Sequence, residues 1–243
     1  MTHSTLSPWR SLVQAAVSQF HPKMLALLVL PWLASLALWG LIAWFAWSPL
    51  TRFVSNGLLA DSGWLFWLST KLGWAEGSQW LAGVFAFVLI VPLMFVTAML
   101  ITTIFAMPAV IRHLCASTYS DVARDGSLSL AASGSNAIVS LAIFIPGYLL
   151  TVPLWFIPVV GLLVPVMWWG WLNARVMRFD SLAEHATSDE IKHMIKKHAR
   201  SYFLLGAAVS ALNYIPPLFL LTPIFGALAF AHFSLNLLRK SRS

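Results

Sequence analysis

The residues in this sequence that could bind a metal or transfer a proton are mainly the histidines of one basic segment. His193 and His198 lie five positions apart, with His185 nearby. No carboxylate is spaced to complete a zinc site with them, and Cys115 is the only cysteine of the chain. The sequence also has no glycine-rich phosphate loop and no Ser-His-Asp arrangement. We therefore predict no metal, no cofactor and no enzymatic activity.

A second set of polar residues lies within long apolar stretches of sequence. Asn136 and Asn213 precede proline-containing segments, and His232 lies seven residues before Arg239. Hydrogen bonding between packed helices is the more common role of such residues. Contact with a substrate is the alternative, which makes Asn213 and His232 candidate binding residues.

The composition limits the class of protein that positions these side chains. Of the 243 residues, 59% are hydrophobic and 9% are charged, and the mean hydropathy is +0.80. Soluble domains carry about a quarter charged residues, and disordered chains are polar and highly charged. The sequence therefore predicts one membrane domain over residues 1–243. Its net charge of +7 indicates orientation and contact with anionic lipid headgroups, not nucleic acid, because no basic run is interleaved with polar sequence.

Four stretches contain no Asp, Glu, Lys or Arg: residues 24–51, 77–111, 126–174 and 201–238. A helix needs about 20 apolar residues to cross roughly 30 Å of hydrocarbon. The first two stretches, of 28 and 35 residues, are therefore predicted to be transmembrane spans. The other two, of 49 and 38 residues, are too long for one crossing and short for two.

Prolines divide the two later stretches. They are Pro146, Pro153, Pro158 and Pro165 in the first, and Pro216, Pro217 and Pro223 in the second. Because proline removes a helical N–H and clashes with the preceding turn, we expect each stretch to form two helices joined by a turn. Arms of about 15 to 18 residues, expected in the first, would barely cross the bilayer. The sequence therefore predicts two re-entrant helical hairpins.

In each predicted hairpin the second arm begins inside the bilayer, near residues 159–161 and 217–220. The N-terminus of a helix carries unpaired N–H groups and a partial positive charge. Two such ends at depth can bind an anion without a lysine. This interpretation adds Gly161 to the candidate anion-binding residues.

Positive charge indicates the orientation of the chain. If both proline-rich stretches return to the side from which they came, 13 of the 15 Lys and Arg residues lie on one side. If each stretch crosses once, the division is 7 against 8. Cytoplasmic loops carry the excess of Lys and Arg, so we expect both termini and the basic linker 175–200 in the cytoplasm.

Two amphipathic helices are expected at the membrane surface. In residues 1–23, Ser7 can cap a helix whose first residue is Pro8. Its apolar positions recur at helical spacing on one face: Trp9, Leu12, Val13, Ala16, Val17 and Phe20. In the linker, Thr187 and Glu190 form a capping box before a basic face. That face suits anionic lipid headgroups, and an anion-gathering entrance is the alternative.

The order of these features resembles the CysZ sulfate-permease family and the related etoposide-induced membrane proteins. The similar motifs are Ala106-Met107-Pro108, Phe156-Ile157-Pro158, Tyr214-Ile215-Pro216 and Arg178-Phe179-Asp180. The resemblance implies two transmembrane helices plus two hemi-penetrating helical hairpins. It also implies sulfate uptake across a bacterial inner membrane in support of cysteine synthesis. We expect Arg178 and Asp180 to pair or cap locally.

One motif of the family differs here. The family places a Gly-Leu-Arg sulfate-binding turn just before the first span, where this chain has Phe20-His21-Pro22-Lys23. Lysine lacks the bidentate fork of arginine. The resemblance nevertheless makes His21 and Lys23 candidate anion-binding residues.

Together these features predict an all-α integral membrane protein of the bacterial inner membrane, with two long transmembrane helices, two re-entrant hairpins and an N-terminal interfacial helix. The expected function is a permease or channel for sulfate or a similar small anion. The alternative is a membrane adaptor or assembly factor that transports nothing and binds lipid or a protein partner. Because the hairpin arms are short, we expect a homo-oligomer.

Overall fold

A computed structural model describes residues 7–58, 67, 71, 78–126 and 130–242 of the chain. Most of the predicted outer loop, residues 52–76, lies outside the described residues. The elements in the described ranges are helical, in agreement with the predicted all-α class. The main helices are α1 (Pro8–Gln19), α2 (Pro22–Phe53), α3 (Ser78–Ser117), α4 (Leu130–Leu150), α5 (Val160–Asp180), α6 (Ser188–Lys197), α7 (Ala199–Leu212) and α8 (Thr222–Arg242).

Three helical segments of the described chain are long and apolar enough to cross a membrane: Pro22–Asn56, Ala82–Ser117 and Ala132–Leu150. The first two correspond to the predicted spans. The third comprises most of α4, the first arm of the first predicted hairpin. By length and composition, α4 is therefore not restricted to half of the bilayer.

The chain divides into two compact units. The two-helix unit, Val29–Thr102, contains most of α2 and much of α3. Within it, the Ser35 hydroxyl donates to the Met94 carbonyl at 2.6 Å, and the Trp39 indole donates to Thr97 Oγ1 at 3.0 Å. These bonds join an antiparallel pair whose other surfaces are largely exposed, as expected of helices that contact lipid.

The second unit, called the core unit, comprises Met1–Leu28 and Thr103–Ser243 and contains both predicted hairpins. The first hairpin is α4 and α5, and the second is α7 and α8. The two arms of each are antiparallel: Asn136 near the start of α4 donates to the Arg175 carbonyl near the end of α5. In the second hairpin, Thr222 at the start of α8 bonds to Asn213 at the end of α7.

The predicted arm length of about 15 to 18 residues is wrong for the first hairpin, because two of its prolines lie inside helices. Pro146 lies inside α4 and Pro165 lies inside α5, so both arms have 21 residues and exceed the expected length. Phe144 and Tyr148 stack on each other across Pro146 at 5.0 Å, and Phe144 packs on Trp169 of α5 at 5.1 Å. This packing on both sides of the proline offsets the one helical hydrogen bond that the proline removes.

Other prolines lie in the turns that join the two arms of each hairpin, as predicted. Pro153 and Pro158 lie between α4 and α5, and Pro216 and Pro217, joined by a cis peptide bond, lie between α7 and α8. Pro223 is the second residue of α8, a position that a helix tolerates because the N–H there has no intrahelical partner.

The two hairpins meet at a pair of glycines. A Cβ on Gly206 of α7 would overlap the carbonyl oxygen of Gly170 of α5, and a Cβ on Gly170 would lie 2.7 Å from Cα of Ala207. Small residues allow backbones to approach this closely, which is how membrane helices gain packing contacts. Gly170 and Gly206 therefore fix where the two hairpins cross.

Helix α8 is the centre of the core unit. Fourteen of its 21 residues are buried, on all of its faces, so the interior of the unit is filled by a helix. Helix α1 begins as predicted, with Pro8 first and Ser7 as its cap, and it buries Ser11, Ala15 and Gln19. Its predicted apolar face points outward: Trp9, Val13, Val17 and Phe20 are 64–77% exposed. A surface of this kind suits contact with the lipid interface.

We predict that Gly206→Ala destabilises the protein by about 1 to 3 kcal/mol, because the added methyl group overpacks the crossing with Gly170. Gly134→Ala is the matched control, since a Cβ at Gly134 of α4 meets no atom within 4 Å. That control should be neutral or gain up to about 1 kcal/mol from helix propensity. Thermal unfolding in detergent measures both changes, and equal melting temperatures would contradict the close crossing.

Candidate functional site

The structure brings together two of the candidate residues, His21 and Lys23, at the turn between α1 and α2. His113, near the end of α3, joins them: its ring centroid lies 4.4 Å from that of His21, with an interplanar angle of 47°. His21 and Lys23 are exposed, and His113 is half-buried. We call these three residues the turn cluster. It gathers cationic and N–H-donating side chains at one point of the core unit.

The local backbone explains which groups of the turn cluster are available. The Lys23 N–H donates to Nδ1 of His21 at 3.2 Å, and the Met24 and Leu25 amides donate to the His21 carbonyl at 2.8 and 3.1 Å. Pro22 has no N–H. The first amides of α2 are thus already paired, and acceptance at Nδ1 places the imidazole proton on Nε2. The groups left to contact an anion are His21 Nε2–H, the Lys23 ammonium and the His113 ring.

Sequence reasoning missed His113. It lies two residues beyond the charge-free stretch 77–111, in a loop that was expected on the same side as His21 and Lys23. A histidine next to Arg112 at the end of a span is the signal that could have indicated it, although only the fold shows that this end meets the α1–α2 turn.

Gly161 lies at the second position of α5, but its amide is not free. It donates to the Ile157 carbonyl at 2.8 Å, and the Val160 amide donates to the Pro158 carbonyl at 2.8 Å. The expectation of unpaired N–H groups at this helix end is therefore wrong. The turn satisfies them itself, through Val159 at φ 69°, a strained conformation for a β-branched residue. Gly161 is required for another reason: a Cβ there would overlap the carbonyl oxygen of Trp155.

Asn213 connects the two arms of the second hairpin. Its Oδ1 accepts a hydrogen bond from the Thr222 hydroxyl, which also lies 2.7 Å from the Phe219 carbonyl. The amides of Leu218 and Leu220 donate to carbonyls within the same turn. Here too, these two backbone donors expected at residues 217–220 are used internally. The common role of such an asparagine, a hydrogen bond between helices, is the one seen.

His232 is buried in the middle of α8, and both of its ring nitrogens have partners. Nδ1 lies 2.9 Å from the Tyr119 hydroxyl and Nε2 lies 3.0 Å from the Ser18 hydroxyl of α1. Burial raises the pKa of Tyr119 to about 12, so this phenol stays protonated. A neutral imidazole has one donor and one acceptor, so His232 has no ring nitrogen left for an anion in this arrangement.

The basic linker forms α6 as predicted, with the capping box between Thr187 and Glu190. Ile191 and Met194 are buried, while the basic side chains Lys192, His193, Lys196, Lys197 and Arg200 are exposed. The described residues contain no group of three metal-ligating side chains. His185 is instead buried with Nε2 3.2 Å from Cys115 Sγ, and this burial lowers its pKa.

Arg242 fixes the C-terminal end of α8 to α6. The Arg242 guanidinium bonds to both carboxylate oxygens of Glu190 at 2.9 Å, lies 3.1 Å from Asp125, and donates to the His185 carbonyl at 2.9 Å. The Arg242 guanidinium holds the pKa of Glu190 at about 2, well below its usual value of 4.5. Similarly, the Arg239 guanidinium lowers the pKa of Asp121.

A comparison with protein families found a match over most of the chain. The family model described as Sulfate transporter CysZ/Etoposide-induced protein 2.4 matches residues 11–223. The matched range contains the turn cluster and the first hairpin, and it ends at the start of α8. No curated protein and no solved structure matches the chain.

We predict that Glu190→Gln removes an acid-sensitive part of the stability. Because the pKa of Glu190 is depressed in the folded protein, its ionised form stabilises the fold above about pH 4.5, and this contribution is lost as the pH falls toward about 2. At neutral pH the variant should lose on the order of 1 kcal/mol, and its melting temperature should depend less on pH in that window. Glutamine retains the capping box, so the change reports the ion pair.

Asp189→Asn is the matched control, because it removes a carboxylate from the same helical turn. The Asp189 side chain is 96% exposed and lies 3.5 Å from the Lys192 ammonium. This variant should melt like the wild type at every pH. Identical pH profiles for Glu190→Gln and the wild type would contradict the Arg242 clamp.

Proposed function

Since the chain belongs to the Sulfate transporter CysZ/Etoposide-induced protein 2.4 family, we propose that it is a membrane permease or channel for sulfate or a similar small inorganic anion. The observation that carries this proposal is the turn cluster. It lies at the position where the family resemblance implies a sulfate-binding turn, although the residues of that turn differ.

The chemistry of the turn cluster suits a small divalent anion. The Lys23 ammonium supplies a charge, and the imidazoles of His21 and His113 supply further N–H groups. Hydrogen bonds that involve a charged partner are about twice as strong as neutral ones. Exposed donors without a bidentate fork favour weak and reversible binding, which a conducting protein requires because a tightly held ion does not leave.

We extend the proposal to topology: two transmembrane helices, two re-entrant hairpins, and both termini in the cytoplasm of a bacterial inner membrane. A hairpin returns to the side from which it started whether or not its arms cross the bilayer. The unequal division of positive charge therefore supports the cytoplasmic location of the termini but does not bear on the re-entrant geometry. The re-entrant geometry has its best support in the second hairpin. Helix α7 has 14 residues, about 21 Å, which is shorter than the hydrocarbon core.

The packing of α8 bears on the route of the anion. Because this helix fills the interior of the core unit, we propose that anions pass between copies of the chain in a homo-oligomer. The same packed interior favours the alternative function, an adaptor that transports nothing, whose basic α6 would bind anionic lipid headgroups or a protein partner. Flux separates the two functions directly.

We predict that Lys23→Gln lowers radiolabelled sulfate uptake into proteoliposomes by about tenfold at subsaturating sulfate, because one charge-assisted interaction is lost. Lys23→Arg should retain uptake or increase it, since the guanidinium adds a bidentate fork. Asn213→Ala is the matched control: it breaks the hydrogen bond to Thr222, so it should lower the melting temperature and leave uptake per folded protein unchanged.

The outcomes separate the function from its site. Wild-type uptake no faster than the leak of empty vesicles would contradict transport and support the adaptor. Equal loss of uptake in Lys23→Gln and Asn213→Ala, with normal wild-type uptake, would contradict the assignment of the anion site to the turn cluster and return it to the hairpin turns.

A further inference from the structure

One face of α5 changes character along its length. Val164, Trp168, Trp171, Arg175 and Arg178 follow one another at intervals of four, three, four and three residues. At this spacing the side chains lie on one stripe of the helix. The stripe is apolar near the hairpin turn and cationic at the other end of α5.

The apolar part of this stripe forms one wall of a groove. The groove has a volume of about 460 Å³ and is open along one side. Its walls come from α4, the hairpin turn, α5 and α7, and their residues are almost all apolar: Ile143, Thr151, Leu154, Val164, Met167, Trp168, Trp171 and Phe203. We call it the hairpin groove. Its shape and lining suit a hydrocarbon chain.

The cationic end adjoins the hairpin groove through Trp171. The Arg175 guanidinium lies 5.3 Å from the centroid of the Trp171 ring, and Arg178 follows one turn further on. Among the described residues neither arginine is part of an ion pair, and Nε of Arg178 is buried without a hydrogen-bond partner. The expected Arg178–Asp180 pair is absent from that part of the chain: Asp180 is in none of its ion pairs, and its Oδ1 is buried without a hydrogen-bond partner. Two neighbouring guanidinium groups thus lack an anion.

We propose that this stripe is a binding site for an anionic phospholipid, with its phosphate between Arg175 and Arg178 and one acyl chain in the hairpin groove. A guanidinium fork matches phosphate oxygens in a bidentate manner, and a half-buried charge is costly without a counter-ion. From Val164 to Arg175 the helix rises about 16 Å, a distance that an acyl chain of ordinary length spans.

The charges and the groove together select this occupant over two others. Free sulfate would pair with the arginines but leave the hairpin groove uncovered. A second copy of the chain could cover the groove, yet an apolar helix would leave both guanidinium groups without an anion. A phospholipid supplies an anion and a hydrocarbon chain in one molecule. Its phosphate matches the cationic end of the stripe, and its acyl chain matches the apolar end. The site does not depend on whether the protein transports sulfate.

The test is native mass spectrometry of the full-length protein in detergent, titrated with dipalmitoyl phosphatidylglycerol. We expect Arg175→Gln/Arg178→Gln to lower the affinity about tenfold or more. The matched double variant Arg52→Gln/Arg124→Gln, which removes two exposed arginines elsewhere, should change it less than about twofold. Phosphatidylcholine with the same chains should bind more weakly than phosphatidylglycerol to the wild type.

Two further variants keep the test decisive. If the double glutamine variant does not fold, Arg175→Lys/Arg178→Lys preserves the charge and should still weaken binding, because lysine lacks the fork. Val164→Trp fills the apolar end of the hairpin groove and should weaken the dipalmitoyl lipid while leaving dihexanoyl phosphatidylglycerol unaffected.

Three results would overturn the proposal. Equal losses in both double glutamine variants would show that the lipid senses only net charge. Displacement of the lipid by millimolar sulfate, with the arginines required for both ligands, would make the stripe an inorganic oxyanion site. Conversion of an oligomer to monomers by Val164→Trp, with lipid binding intact, would show that a second copy covers the groove.

Discussion

The constraint on which this structure depends is the cost of an unpaired backbone amide in an apolar environment. It is most visible where helices start. The first amides of α2 are taken by the carbonyl and the ring nitrogen of His21, and those at the start of α5 by carbonyls of the preceding turn. Val159 adopts a strained backbone conformation in that turn. The chain therefore accepts local strain in place of unsatisfied N–H groups.

The same constraint explains why the proposed anion site consists of side chains and not of the amides at helix ends. A helix N-terminus binds an anion through free N–H groups, and these ends have already used the amides that would serve. The turn cluster presents side chains on backbone whose amides are already paired. Asn213 and His232, by contrast, are committed to hydrogen bonds that hold helices together. Polar residues in this protein therefore divide into those that close the fold and those that remain accessible.

Much of the fold follows from sequence patterns that depend on local physics. The capping boundaries at Ser7 and Thr187 and the turns at Pro158 and Pro216 were predictable, because a cap or a helix break is decided within a few residues. Pro146 was not, since its tolerance depends on Trp169 of a different helix packing against Phe144. His113 was missed for the same reason. Its role depends on the meeting of α3 with the α1–α2 turn, a contact between residues about ninety positions apart in the sequence.

The outward apolar face of α1 has a counterpart in the polar residues that the helix turns toward α8. Ser18 contacts His232, and Gln14 accepts a hydrogen bond from Asn236, so α1 is joined to α8 by a polar seam. During synthesis the residues of α1 emerge long before their partners in α8. The seam therefore closes only after α8 has been synthesised, and any chain that stops before α8 leaves the polar side of α1 without these partners.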